Sequence, residues 1–217
     1  GFRRKRTNLH EKYDHPVMAF PAEASALDHV MPMLKAGKLA EALPYLESLT
    51  KFAPANAAVL YNLGIAYSEL GQFDEAIIRL KRAVHLDPGH AHAWGGIGNA
   101  YHRMRKPDQA LEAFERAVEA DPNDGYTRRN LGGLLIGFKR INGAVAHLRT
   151  ALQLMPDDPQ TIFGLATALE QVGTRDADEE ADRLYLRFIE EHPNSPMAEQ
   201  AGRRDRKSTR LNSSHLG

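Results

Sequence analysis

The stretch AHAWGGIGNAYHRMRKPDQALEAFERAVEADPND, residues 91–124, holds two apolar periodicities with a break between them. Trp94, Ile97 and Tyr101 recur at helical spacing, and Ala110, Phe114 and Ala117 do so again before Pro122 stops the run. Pro107, directly after Lys106, stands where a second helix begins, because a first-turn residue needs no amide hydrogen. The pattern predicts two amphipathic helices folded into a single hairpin over 91–124.

The hairpin is repeated on both sides. Prolines 54, 88, 122, 156 and 193 follow one another at sequence intervals of 34, 34, 34 and 37, each at the end of an apolar run. Leu60, Leu63, Gly64, Tyr67, Ala76, Leu80, Ala83 and Pro88 fall in the columns of Trp94, Ile97, Gly98, Tyr101, Ala110, Phe114, Ala117 and Pro122. Gly71 and Gln72 separate the two helices of the earlier unit. Gly64 and Ala76 are expected to mark the place where those helices approach, since extra side-chain bulk there costs about 1–3 kcal/mol. One hairpin cannot cover its own apolar face, so the next must stack on it.

These columns resemble the tetratricopeptide repeat, W-x2-L-G-x2-Y, then A-x3-F, then P, on a period of 34. Residues 91–124 are similar to it at each of those positions. The resemblance implies an all-α fold, a right-handed α-solenoid of stacked helix hairpins. The expected organisation is a basic, disordered segment at 1–22, a degenerate capping repeat at 23–56, and regular repeats at 57–90, 91–124 and 125–158. A repeat with an insertion at 159–195, a truncated capping helix at 196–204 and a non-native tail at 205–217 complete it.

Four departures from regularity carry expectations of their own. Pro32 falls in the middle of the first helix of the degenerate repeat, which is therefore expected to be kinked or shortened at a cost of about 3 kcal/mol. The third repeat has Arg128 in the tryptophan column and Leu135 in the tyrosine column, and is expected to stack through Leu131, Gly132, Ala144, Leu148 and Ala151. The fourth regains register only if about three residues are inserted near Thr174 to Asp176, lengthening that turn, after which Ala181, Tyr185, Phe188 and Pro193 return to their columns. Ser195-Pro196 opens the capping helix with a favoured N-cap and proline at the first position.

Residues 205–215 resemble the in-frame translation of a sequencing-adapter oligonucleotide and are set aside, together with the Asn212 glycosylation match and the basic run at Lys207 to Arg210. The chain opens without methionine and reads as a fragment or a processed form. A cytoplasmic location is the expectation.

Composition narrows the function classes. No run of apolar residues is long enough to span a bilayer, so no membrane insertion is expected, and there is no cysteine for disulfides, thiolate metal sites or nucleophiles. Basic and acidic side chains number 28 each. Residues 1–16 hold five basic and two acidic, and 205–217 hold three and one, which leaves 20 against 25 for residues 17–204. An acidic array is a poor generic nucleic-acid binder, so no nucleic-acid partner is expected, and a period of 34 is one short of the pentatricopeptide period. The cluster Arg3 to Arg6 is open to reading as a juxtamembrane or anion-binding patch, a targeting address or a solvated tail, and blocks of like charge favour the tail.

Each candidate for chemistry has a plainer reading. Gly95, Gly96 and Gly98 suggest a dinucleotide loop, but no strand precedes them and helix packing explains them. His85, His90 and His92 cross a turn and are expected to hold no metal. The acidic run Asp176, Asp178, Glu179, Glu180, Asp182 places Ala181 and Arg187 where a calcium loop needs glycine and glutamate, and a helix N-terminus accounts for it better. No catalytic triad or phosphate loop is present, so no cofactor and no enzymatic activity are expected.

The resemblance places ligands on the first helix of each repeat. The implied peptide-binding groove comprises Tyr61, Asn62, Ile65, His92, Asn99, His102, Tyr126, Arg129, Asn130, Phe163 and Thr167, with Ser68, Ile136, Gln160 and Glu170 also on that face. Such residues also occur on any solvated helix face. The carboxylate clamp by which some members hold chaperone tails needs cations where Gly95, Gln160 and Gly164 stand, so only Asn99 and Asn130 match and no clamp is expected. The resulting expectation is a non-enzymatic scaffold that binds a protein or extended peptide. The alternative is a targeting or regulatory arm of a larger enzyme, such as a transferase, whose catalytic domain lies outside this sequence.

Overall fold

The computed structural model describes the backbone of residues 23–204 and the side chains from residue 27 onward. The basic segment at 1–22, with Arg3 to Arg6, and the tail at 205–217, with Asn212, lie outside the described residues. Helices pair into hairpins: α1 (Glu23–Lys35) with α2 (Leu39–Phe52), α3 (Ala57–Glu69) with α4 (Phe73–Leu86), and α5 (Ala91–Arg103) with α6 (Pro107–Ala120). The series continues with α7 (Gly125–Gly137) against α8 (Ile141–Leu154) and α9 (Pro159–Glu170) against α10 (Arg175–Glu191). A further helix, α11, is described over 196–204, and no strand occurs among the described residues. Every helix from α1 to α9 packs on the one that follows it, which makes the described residues an all-α solenoid.

Local chemistry fixes both kinds of turn. Each of prolines 54, 88, 122, 156 and 193 lies two residues beyond the last residue of a helix, where its missing amide hydrogen prevents continuation. The next helix is then capped by a side chain at a fixed place. Asn56 Oδ1 accepts from the Val59 amide at 3.1 Å, His90 Nδ1 from Ala93 at 3.3 Å, and Asp158 Oδ2 from Thr161 at 2.8 Å, while Asp124 accepts from both Tyr126 and Thr127. Within a hairpin the chain turns through a left-handed residue, at Gly37, Gly71, Arg105, Lys139 and Gly173. In the first four, the amide after that residue reaches back five positions, as in Gln72 N–H to the Tyr67 carbonyl at 2.9 Å, and closes the helix end.

Glycine sets the distance within hairpins. A Cβ on Gly64 would lie 2.6 Å from Leu80 Cγ, on Gly98 2.6 Å from the Phe114 ring, and on Gly132 2.5 Å from Leu148 Cγ. Helix α5 is crowded on further sides, since a Cβ on Gly96 would lie 3.1 Å from both Ile65 and Leu80, and one on Gly95 3.2 Å from Thr127 Oγ1. Its glycines therefore belong to helix packing. The core residues link successive hairpins: Leu80 and Val84 cluster with Ala93 and Ile97, and Phe114 with Leu131, Leu148, Ile162 and Tyr185. Leu135 takes the tyrosine column of the third repeat and is buried beside Ala144 and Leu148.

One expectation is narrowed and one is corrected. Of a kink or a shortening at Pro32, helix α1 shows no shortening, since it continues to Lys35. Leu27, Val30, Met33 and Leu34 pack on the core of α2 and α3, and the Asp28 carbonyl that Pro32 cannot serve belongs to an exposed residue, so burial outweighs the local cost. The three additional residues of the fourth unit do not lengthen a turn. Helix α10 begins one repeat period after α8, as α8 does after α6, and is 17 residues long against 14. The extra residues form nearly one more helical turn, capped by Thr174 and anchored by buried Ala177. They carry Ala181, Tyr185 and Phe188 into the core, because three residues rotate a helix by almost a full turn.

Candidate functional site

The first helices α3, α5 and α7 carry seven of the candidate residues in contacts that run from one repeat to the next. Asn130 Nδ2 donates to Asn99 Oδ1 at 3.0 Å, tying α7 to α5. Arg129 lies 5.3 Å over the Tyr126 ring and pairs with Asp158 at 3.1 Å, which ties α7 to the cap of α9. His92 Nδ1 stands 3.9 Å from Asp124, the cap of α7, and Tyr61 stacks on His90, the cap of α5, at 4.8 Å between ring centres. Ile65 packs towards Gly96. Each cap thus holds its own helix and also meets a side chain of the preceding repeat.

Electrostatics leave this face nearly neutral. Burial alone would raise the Asp158 carboxyl, but hydrogen bonds from Thr161 and Arg129 and the guanidinium charge outweigh it and hold the group below its ordinary value. Burial, and then the negative charge of Asp124, raise the Tyr61 hydroxyl, so it remains a neutral donor. Tyr126 is 63% exposed and offers its ring to solvent. Asn62 spends its amide on the Ala58 carbonyl at 2.8 Å, and His102 is exposed.

The two remaining candidates are engaged in packing. Phe163 meets Tyr185 and Phe188 edge-on at 5.6 and 5.5 Å, and Thr167 Oγ1 lies 3.2 Å from the Tyr185 hydroxyl. That hydroxyl donates to Glu170 at 2.9 Å and accepts from Arg204 of α11, which also pairs with Glu170. Burial first, and then the bond to Glu170, push the Tyr185 hydroxyl up to about 12. Helix α11 closes this end through Ala201, Met197 and Ala198.

Asp124, Asp158 and His90 fall outside the groove positions that the sequence implies, although they position the groove residues. The signal that points to them is their shared column with Asn56, a cap position that recurs once in every repeat. Among the described residues no group of three or more histidine and carboxylate side chains converges in a way that could hold a metal, and no helix is long and apolar enough to cross a membrane.

A family model described as tetratricopeptide repeat matches residues 33–96 and 71–129. Residues 33–129 are tetratricopeptide repeats. Solved structures share the fold over most of the repeat array. MamA 41-end from Desulfovibrio magneticus RS-1 is 22% identical, with 82% of this chain and 99% of that chain covered and a TM-score of 0.67. YrrB, described as a TPR protein with an unusual peptide-binding site, is 17% identical, with 84% and 98% covered and a TM-score of 0.66. MamA AMB-1 is 26% identical, with 78% and 99% covered and a TM-score of 0.66. No curated protein matches the sequence significantly. The tetratricopeptide array has the architecture of a protein-interaction scaffold.

Proposed function

We propose that this tetratricopeptide array is a non-enzymatic scaffold that holds an extended peptide of a partner protein along the face formed by α3, α5 and α7. The observation that carries the reading is the bridge from Asn130 to Asn99, which spends one amide donor and leaves the Asn99 amide nitrogen without a hydrogen-bond partner among the described residues, on the helix next to the one that carries the exposed Tyr126 ring. Asparagine amides match the donor and acceptor spacing of an extended backbone, and tyrosine adds contact area at low conformational cost. Arg129 is already neutralised by Asp158, so the face favours backbone and apolar side chains over carboxylates. With Gly95, Gln160 and Gly164 where a carboxylate clamp needs cations, an acidic chaperone tail is not the occupant, and titration calorimetry with such a tail is expected to show no saturable binding.

The test is selection of extended peptides from a random display library by the full chain, followed by affinity measurement on the enriched sequences. Asn99→Ala with Tyr126→Ala is expected to weaken those peptides about tenfold or more, the loss of two contacts each worth about 1 kcal/mol. Enrichment that survives the double substitution unchanged would place binding elsewhere.

A further inference from the structure

A slot on the opposite side of the array lies where the other repeats place a bulky side chain. It lies between α4 and α6, over α5, and encloses about 540 Å³. Buried Ile97 and Ala113 form its floor, with half-buried Trp94 and Tyr101 also lining it. The period of the repeat places Tyr45, Arg79 and His147 in the column of Ala113, and beyond the three extra residues of α10 it places Leu184 there. All four are half-buried side chains of considerable bulk. His147 is held in its groove by Arg128, with Nδ1 and Nη1 3.3 Å apart. Only the second repeat carries a methyl group at this position, which leaves the floor of the slot uncovered.

The polar groups differ in the same way. In the equivalent grooves the residue in the column of Lys81 is engaged: Glu47 accepts from the Tyr67 hydroxyl at 2.5 Å, Glu115 pairs with Arg140 at 3.7 Å, and Arg149 pairs with Glu180 at 2.5 Å. Lys81 has no ion-pair partner among the described residues and lies 5.5 Å from the centre of the Tyr101 ring. Glu112, on the α6 side, likewise has no ion-pair partner among the described residues. The indole of Trp94 is fixed, because Nε1 donates to the Pro88 carbonyl at 3.0 Å.

We propose that this slot is a docking site for a partner protein, which inserts an aromatic side chain between Trp94 and Tyr101 and sets a neighbouring carboxylate against Lys81. Two aromatic walls over an aliphatic floor favour a ring, which gains edge and face contacts beyond those of an aliphatic chain. The unpaired cation on the α4 side and the unpaired carboxylate on the α6 side orient the partner, since an acid placed beside Glu112 is repelled. The site does not depend on the groove across α3, α5 and α7.

Trp94 is the sole tryptophan of the chain, so intrinsic emission reports on this slot directly. The full chain is titrated with acetyl-Ala-Glu-Phe-Ala-amide, and a saturable change in emission is expected. The Gln-for-Glu peptide should bind about two- to fivefold more weakly, the range of an exposed ion pair. The Leu-for-Phe peptide should also bind more weakly. Ala113→His, which installs the residue of the third repeat, and Ala113→Leu, which installs that of the fourth, should abolish the emission change while thermal unfolding stays cooperative. Lys81→Met should erase the difference between the Glu and Gln peptides, and Asn99→Ala should leave all titrations unaltered. The proposal is overturned by an absence of saturable change, by binding that persists in both filled variants, or by a Glu preference that survives Lys81→Met. Tighter binding of N-acetyl-phenylalanine than of the peptide would replace the protein partner with a small aromatic acid. A dependence of emission on protein concentration without peptide would replace it with a second copy of the chain.

Discussion

Trp94 and Arg128 stand one repeat apart and serve equivalent carbonyls: the indole Nε1 donates to Pro88 O at 3.0 Å, and the guanidinium Nε donates to Pro122 O at 2.5 Å. A proline turn leaves that carbonyl outside any helix, so a side chain must satisfy it. In the first and fourth repeats the column holds Leu60 and Ile162, which have nothing to donate. There an arginine of the second helix reaches back instead, Arg82 to Pro54 O at 3.0 Å and Arg187 to Pro156 O at 2.8 Å. Two columns share one duty, which explains how arginine replaces tryptophan without disturbing the stack.

The exchange can be tested by moving the third repeat from one solution to the other. Arg128→Leu should cost about 1 kcal/mol, the net value of a hydrogen bond. Thr150 occupies the column of Arg82, and adding Thr150→Arg to Arg128→Leu should recover most of the loss in urea unfolding midpoints. A double variant no more stable than Arg128→Leu would show that the columns do not substitute for each other.

Glycines that look alike in sequence should respond in opposite directions. Gly98→Ala puts a methyl 2.6 Å from the rigid Phe114 ring and should destabilise by about 1–3 kcal/mol. Gly133→Ala, also within a helix, meets nothing within 4 Å and should stabilise by about 0.5–1 kcal/mol. Thermal unfolding of the two variants side by side is sufficient.

Arg105 and Lys139 carry φ of 58° and 60° at the positions where other hairpins have Gly37, Gly71 and Gly173. A side chain in that conformation costs about 1–2 kcal/mol, part of which glycine returns as greater freedom of the unfolded chain. Arg105→Gly and Lys139→Gly should each raise stability by about 0.5–1 kcal/mol in urea titrations. A loss in both would mean that the long side chains contribute contacts that outweigh the backbone strain.

Asp158 predicts a pH dependence with a definite sign. Its folded-state carboxyl titrates below the ordinary value, so the stability it supplies is present above the unfolded value of 3.8 and is lost as pH falls through the lower, folded one. Asp158→Asn keeps a capping oxygen for Thr161 but gives up the charge opposite Arg129. Its destabilisation should therefore be largest near neutrality and should vanish at the acid end of the unfolding profile. A deficit independent of pH would assign the effect to the cap alone.

The amino-acid sequence determined the hairpins, their turns and their order, because each depends on chemistry within a few residues. Proline stops a helix wherever it falls, a cap side chain reaches only two or three amides, and glycine recurs where a partner helix leaves no room for Cβ. Trp94, Gly98, Tyr101 and Phe114 therefore announced the family without coordinates. Contacts between repeats decided the rest. Whether three residues lengthen a turn or a helix turned on the gain from burying Tyr185 and Phe188, and helix α1 passes Pro32 for the same reason. Phe163 and Thr167 share the columns of groove residues, yet Tyr185 engages them, because a tyrosine from α10 reaches that far and a leucine would not. The coupling of Arg129 to Asp158 joins side chains from different repeats, and the slot over Ala113 is bounded by side chains of three helices, α4, α5 and α6. Neither is written in a local pattern, since both arise from distances that the stacked backbone alone sets.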